Sequence, residues 1–156
     1  MSELAGVPID PATSGPVVNE NFETGVAGVF ACGNVLHVHD LVDHVSEEAE
    51  AAGRAAAEYL RGAAAPRHEI PVCSGDGVTG IVPQRIDPTA LPEVLNLRFR
   101  VRREVRNHYL SVYADGARIA HLRRRIMTPG QMEEIALKRE LVPAAASEIR
   151  IAMEEA

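Results

Sequence analysis

The sequence predicts an α+β chain in two parts: a strand-and-helix segment over residues 1–65, then a small antiparallel β-sandwich over residues 66–156. Three observations carry this expectation. A single stretch repeats its apolar residues at three and four, the period of one helix face. About seven short strand-like runs, divided by turn chemistry, fill the second part with no helical period between them. Charge splits at the same place: residues 1–65 hold ten acids against Arg54 and Arg61, whereas the rest of the chain carries 12 acids and 14 bases. Two units with different tasks would show such an asymmetry.

In the first part, Pro8, Asp10-Pro11, Ser14-Gly15-Pro16, Asn19 and Asn21 are turn formers around a short extended Val17-Val18. They predict a hairpin or a strand with loops. Gly28-Val29-Phe30-Ala31-Cys32-Gly33-Asn34 is a compact apolar run closed by a glycine, the pattern of a buried parallel strand whose C-terminal end meets a ligand. After a loop, Val42, Val45, Ala49, Ala52, Ala56, Tyr59 and Leu60 form one helical stripe. The stripe is mostly alanine with Gly53 inside it, which predicts a helix lying close to a sheet. Gly62 and Pro66 end the helix and mark the domain boundary.

In the second part, the expected strands are 69–72, 78–86, 94–101, 108–113, 117–122, 134–138 and 148–153. Ser74-Gly75-Asp76-Gly77, Asp87-Pro88, Asp115-Gly116 and Pro129-Gly130 separate several of them. Asp115-Gly116 between two alternating runs is a strong hairpin signal.

Composition bounds the rest. The chain has 156 residues, 46% apolar and 24% charged, within the range of soluble globular proteins. No apolar run approaches a membrane span, and Met1-Ser2-Glu3 does not open a signal peptide, so a cytoplasmic protein without membrane contact is expected. Cys32 and Cys73 lie in unrelated contexts without metal-ligand spacing, which predicts two reduced thiols.

Residues Thr24 to Asn34, Thr-Gly-Val-Ala-Gly-Val-Phe-Ala-Cys-Gly-Asn, resemble the second FAD-contacting motif of the pyridine nucleotide–disulfide oxidoreductase superfamily. The longer string Gly33-Asn-Val-Leu-His-Val-His-Asp-Leu-Val-Asp43 resembles a subgroup of NAD(P)/FAD-dependent oxidoreductases with a C-terminal β domain. Pro83-Gln84 and residues Pro129 to Glu133 are similar to its tail. The resemblance implies the final strand and helix of a Rossmann-like FAD-binding domain, with hydride passing through FAD and NAD(P) as co-substrate. It implies cofactor contacts at Gly33 and Asn34, and a helix N-terminus near Val45, Ser46 and Glu47 facing the flavin. Where the family has an Asp, this chain has Asn34, which can hydrogen-bond a hydroxyl but brings no charge. No Cys-X-X-Cys occurs in the chain, and no Gly-X-Gly-X-X-Gly opens a helix: the one occurrence, Gly75 to Gly80, runs from a turn into the expected strand 78–86. By the resemblance those elements lie upstream, so the expected partner is the FAD/NAD(P)-binding part of the same enzyme, and the chain alone should be inactive.

His37, His39, Asp40, Asp43 and His44 are the densest group of possible metal ligands. His37 and His39 alternate and would face one way on an extended segment, with His44 joining at the helix start. That pattern fits a zinc or iron site of a regulatory domain. The resemblance places the same loop beside the flavin, where His37, His39 and His44 become candidates for substrate contact or general acid work. The active-site role is favoured, ordinary loop packing comes next, and a metal last.

Arg98, Arg100 and Arg102 alternate with Leu97, Phe99 and Val101, which puts the three arginines on the outer face of a strand. Arg103, Arg106, Arg118, Arg123, Arg124 and Arg125 add to the set. A net charge of −6 and the lack of interleaved aromatics argue against nucleic acid. A docking face for an acidic partner is the alternative, non-enzymatic function, and the acidic first segment is itself a candidate partner, within one chain or between copies in a homo-oligomer.

Overall fold

The computed structural model describes residues 2–62 and 67–155. Over these the chain is a mixed α+β fold, with one α-helix and eight strands in two sheets. The expected break at Pro66 lies outside the described residues. Helix α1 spans Val42–Leu60. The strands are β1 (Ile70–Ser74), β2 (Val78–Val82), β3 (Arg85–Ile86), β4 (Val94–Val101), β5 (Val105–Ala114), β6 (Ala117–Met127), β7 (Glu133–Lys138) and β8 (Ile149–Glu155).

One sheet has the order β3-β1-β8-β5-β6 and the other β2-β4-β7. Neighbours pair antiparallel, with one difference from expectation: β1 and β8 run parallel, Val72 opposite Ile149 and Ser74 opposite Ile151. The first and last strands of the β-rich part thus close side by side, a long-range pairing that no local turn signal announces. The inward residues of both sheets form one apolar core, with Leu97, Phe99, Leu110, Val112, Ile135, Leu137, Ile149 and Ile151 at 0–1% exposure. Strand alternation accounts for this, since every second residue along β4 and β7 turns to the same side.

The β5–β6 turn follows its sequence signal. Asp115 and Gly116 have φ of 48° and 81°, both positive as a two-residue hairpin requires. The Asp115 carboxylate also accepts hydrogen bonds from the Ser147 and Glu148 amides, which ties the turn to the approach of β8.

Residues 2–41 form loops with two short 3-10 turns and three isolated bridges, Ile9 to Pro16, Val18 to Thr24 and Glu23 to Phe30. The hairpin is present in this reduced form. Gly28–Asn34 is not a strand, contrary to expectation. A buried parallel strand needs a strand to pair with, and among the described residues this run makes only the isolated antiparallel bridge of Phe30 to Glu23. The run instead lies half-buried and ends in a one-turn 3-10 helix, Gly33–Val35.

Helix α1 packs through part of its predicted stripe. Tyr59 meets the Phe30 ring edge-on at 6.1 Å, and Val45 lies against Gly33. The ends of the stripe are bare, with Val42 at 74% and Leu60 at 86% exposure. Gly53 is exposed and has open space where a Cβ would stand, so it makes no close approach to a sheet. The side of α1 turned to the three-stranded sheet is acidic, and a cavity of about 360 Å³ lies between them, lined by Phe22, Glu47, Glu48, Ala55, Val82 and Arg98 among others. Val18, Leu36 and Val82 make a second small apolar cluster; the Val18 carbonyl accepts the Gln84 and Arg85 amides, and the Val18 amide donates to the Gln84 side-chain Oε1. Among the described residues no helix is long and apolar enough to cross a membrane.

Candidate functional site

The loop 33–41 folds back over the first turns of α1, and Glu48 is the point on which it closes. Its side chain is 2% exposed. Oε2 accepts the Gly33 amide at 2.9 Å and faces His39 Nε2 at 2.9 Å, while Oε1 faces His37 Nε2 at 3.3 Å. The His37 and His39 rings are 4.4 Å apart and nearly perpendicular. His44 stands further off, its ring centre 6.3 Å from that of His39. Nδ1 of His39 and of His44 are both buried without a hydrogen-bond partner.

Arg98 of β4 reaches the same carboxylate. Its guanidinium contacts Glu48 Oε1 at 3.4 Å, Glu134 Oε2 at 2.7 Å and Glu47 Oε2 at 2.5 Å. The expectation that Arg98 lies on an outer, solvated face is therefore corrected: its side chain is 5% exposed, because α1 and its loop cover that face. Arg100 likewise binds Asp40, and Asp40 accepts the Met132 amide. The acidic partner of these two arginines is the chain's own first segment. Arg102 donates to the Val78 carbonyl, and Arg103 and Arg106 pair with Asp76 and Glu104 in exposed contacts.

The electrostatics follow from burial and pairing. Burial pushes the Glu48 carboxyl up, but hydrogen bonds from His37 and the Gly33 amide, with the charges of His39 and His37, bring it below the ordinary carboxylate value. Burial lowers the pKa of His39; the Glu48 charge opposes this, and His37 and Arg98 add to the lowering. Burial and the Glu48 charge raise the Cys32 thiol, so Cys32 is no ready nucleophile.

Of the residues expected to contact a cofactor, Gly33 and Asn34 fall at the loop start. Gly33 is left-handed, φ 71°, and its amide points inward to Glu48. Asn34 is exposed, and its Oδ1 accepts the His39 amide, leaving the side-chain NH2 free of internal partners. Val45, Ser46 and Glu47 are not the helix N-terminus. The helix starts at Val42, so those three occupy its second turn, with Val45 on Gly33, Ser46 back-bonded to the Val42 carbonyl and Glu47 on Arg98. The first-turn amides are those of Val42, Asp43 and His44, and Leu41 at the N-cap offers them no side-chain acceptor. Val35 and Val38 of the preceding loop, with Leu41 and Val42, are 54–74% exposed.

Sequence reasoning missed Glu48. It lies in an acidic run, Glu47-Glu48-Glu50, that reads as a solvated face. The available signal was the spacing of Glu48 nine residues after His39, too long for one helix face and visible only once the loop folds back.

A second polar group, Ser111, His121 and Glu154, has the residue types of a nucleophilic relay but not its geometry. His121 Nδ1 faces both Ser111 at 2.8 Å and Glu154 at 3.7 Å, so one nitrogen would serve both neighbours, and Ser111 is fully buried.

Compared with known proteins, the chain matches no family model, no curated protein and no solved structure.

Proposed function

We propose that this chain is the flavin-facing C-terminal part of an FAD-dependent, NAD(P)-linked oxidoreductase of the pyridine nucleotide–disulfide oxidoreductase type. A segment bearing the glycine-rich dinucleotide turns completes it. In this reading residues 1–65 close a Rossmann-like FAD-binding domain, and the two sheets with their shared core form an accessory β-sandwich.

The observation that carries the reading is the start of α1. The first-turn amides of Val42, Asp43 and His44 have no side-chain cap from Leu41, and the preceding loop leaves Asn34, Val35, Val38 and Leu41 exposed, as is Val42. A helix N-terminus that follows an exposed apolar loop suits the electron-rich edge of a flat, largely apolar ring system. Asn34 offers amide hydrogens to a ribityl hydroxyl, and Gly33 supplies the left-handed turn that places Asn34 at the helix start. When bound, FAD supplies the hydride chemistry. The chain's share is to orient the ring, exclude water through the apolar loop, and place His39 and His44 near it.

The test is co-expression with the polypeptide encoded immediately upstream. The reading expects that polypeptide to carry a Gly-X-Gly-X-X-Gly turn and the joint product to purify yellow, with one FAD per chain. A joint product without flavin, or an upstream sequence without the turn, overturns it.

A further inference from the structure

His37, His39 and Glu48 are the single group of side chains with metal-ligand chemistry and spacing among the described residues, their ligand atoms all lying within 4.8 Å of one another. We propose that these three residues bind one divalent late first-row transition ion. This goes beyond the flavin reading and does not rest on it.

The geometry matches the size of such an ion. Bonds of about 2.0–2.1 Å around a tetrahedral centre set neighbouring ligand atoms about 3.3–3.4 Å apart. His37 Nε2 lies 3.3 Å from Glu48 Oε1 and His39 Nε2 lies 2.9 Å from Oε2; with one ligand atom from each residue, all three atoms stay within 4.8 Å of one another, and a small turn of the carboxylate closes them to that edge. Two imidazoles and one carboxylate favour Zn²⁺ and its neighbours over Mg²⁺ or Ca²⁺, which prefer oxygen alone. Three protein ligands leave one coordination position open.

Charge gives an independent argument. Glu47, Glu48 and Glu134 surround the one guanidinium of Arg98, so the cluster carries a formal −2 while its histidines are neutral. Glu48 and Arg98 are almost wholly buried and balance each other, so the excess negative charge rests on Glu47 and Glu134, which are 58% and 35% exposed. A divalent ion between the histidines and Glu48 brings the sum to zero. Arg98, bonded to the same carboxylate, holds the ligand in place as outer-sphere groups do in metal sites. Glu48 also borders the cavity beneath α1, which gives a path of entry.

The alternative is that both histidines simply donate Nε2–H to Glu48. Zn²⁺ binding by the chelator-stripped chain, read in competition with a chromophoric chelator, separates the two. The expected result is saturable binding of one Zn²⁺ per chain in the micromolar range or tighter. His37→Ala and His39→Ala should each weaken it tenfold or more, and His68→Ala, at an exposed position, should leave it within twofold. Co²⁺ bound by the wild-type chain should show visible ligand-field bands of a low-coordinate nitrogen–oxygen site, a readout that needs no variant to fold. Absence of stoichiometric binding, absence of the Co²⁺ bands, or unchanged affinity in a folded His37→Ala/His39→Ala variant overturns the proposal. Because flavin is absent throughout, these outcomes leave the flavin reading to its own test.

Discussion

Glu48 and Arg98 meet across the seam between α1 and β4, Oε1 lying 3.4 Å from Nη1 although fifty residues separate them in sequence. A helix whose apolar stripe is committed to its own preceding loop is thereby held to the sheet by charge. The cost of burying both ions is offset by the Glu47 and Glu134 carboxylates on the one side and by His37, His39 and the Gly33 amide on the other.

Arg98→Met should therefore be strongly destabilising, because it strands the Glu48 carboxylate in a buried site. The expected loss is about 3–5 kcal/mol by urea denaturation. The Glu48→Gln/Arg98→Met double variant should recover part of it, since no lone charge remains. Arg54→Ala removes an exposed pair with Glu50 and should change stability by less than about 1 kcal/mol.

Gly33→Ala should cost more than Gly62→Ala. Both glycines are left-handed, φ 71° and 82°, which in any other residue costs about 1–2 kcal/mol. A Cβ at Gly33 would also meet Val45 Cγ1 at 3.1 Å, while at Gly62 it would meet nothing within 4 Å among the described residues. Equal losses in denaturant midpoint would contradict this account of the turn.

Asp87 predicts a pH dependence. Burial pushes its carboxyl up, but hydrogen bonds from Thr89 and the His68 amide, with the charge of Arg67, hold it below the ordinary aspartate value. The native state thus binds fewer protons than the unfolded chain in that range. The stabilisation is fully present above the unfolded pKa of about 3.9 and is lost as pH falls through the lower native value. Asp87→Asn should flatten the acid limb of a stability–pH curve, and an unchanged limb would show that these bonds do not persist in solution.

What the sequence showed and what it hid divide along locality. The alternation of Val94–Val101 and the Asp115-Gly116 turn are local patterns, and β4 and the β5–β6 hairpin fall where they predict. The helix was equally legible from its apolar stripe, although not its start: without a polar N-cap, residues 41–45 give no punctuation. The parallel β1–β8 pair was hidden because its strands lie at opposite ends of the β-rich part. In the site, the histidines were visible by their chemistry. Glu48 was not, because one acid among several on a helix gains meaning only when a loop and an arginine from elsewhere converge on it.

The most direct test of the central claim, that the Asn34 turn and the start of α1 form one half of a flavin site, is an FAD titration followed by flavin fluorescence. The chain alone should bind FAD weakly or not at all. A glycine-rich turn elsewhere must hold the pyrophosphate, and losing three charge-assisted hydrogen bonds of about 1.5–3 kcal/mol each removes several decades of affinity. The complete assembly should bind tightly, and Asn34→Ala in it should loosen FAD measurably. Submicromolar binding by the 156-residue chain alone, or unchanged affinity in the Asn34→Ala assembly, would contradict the account.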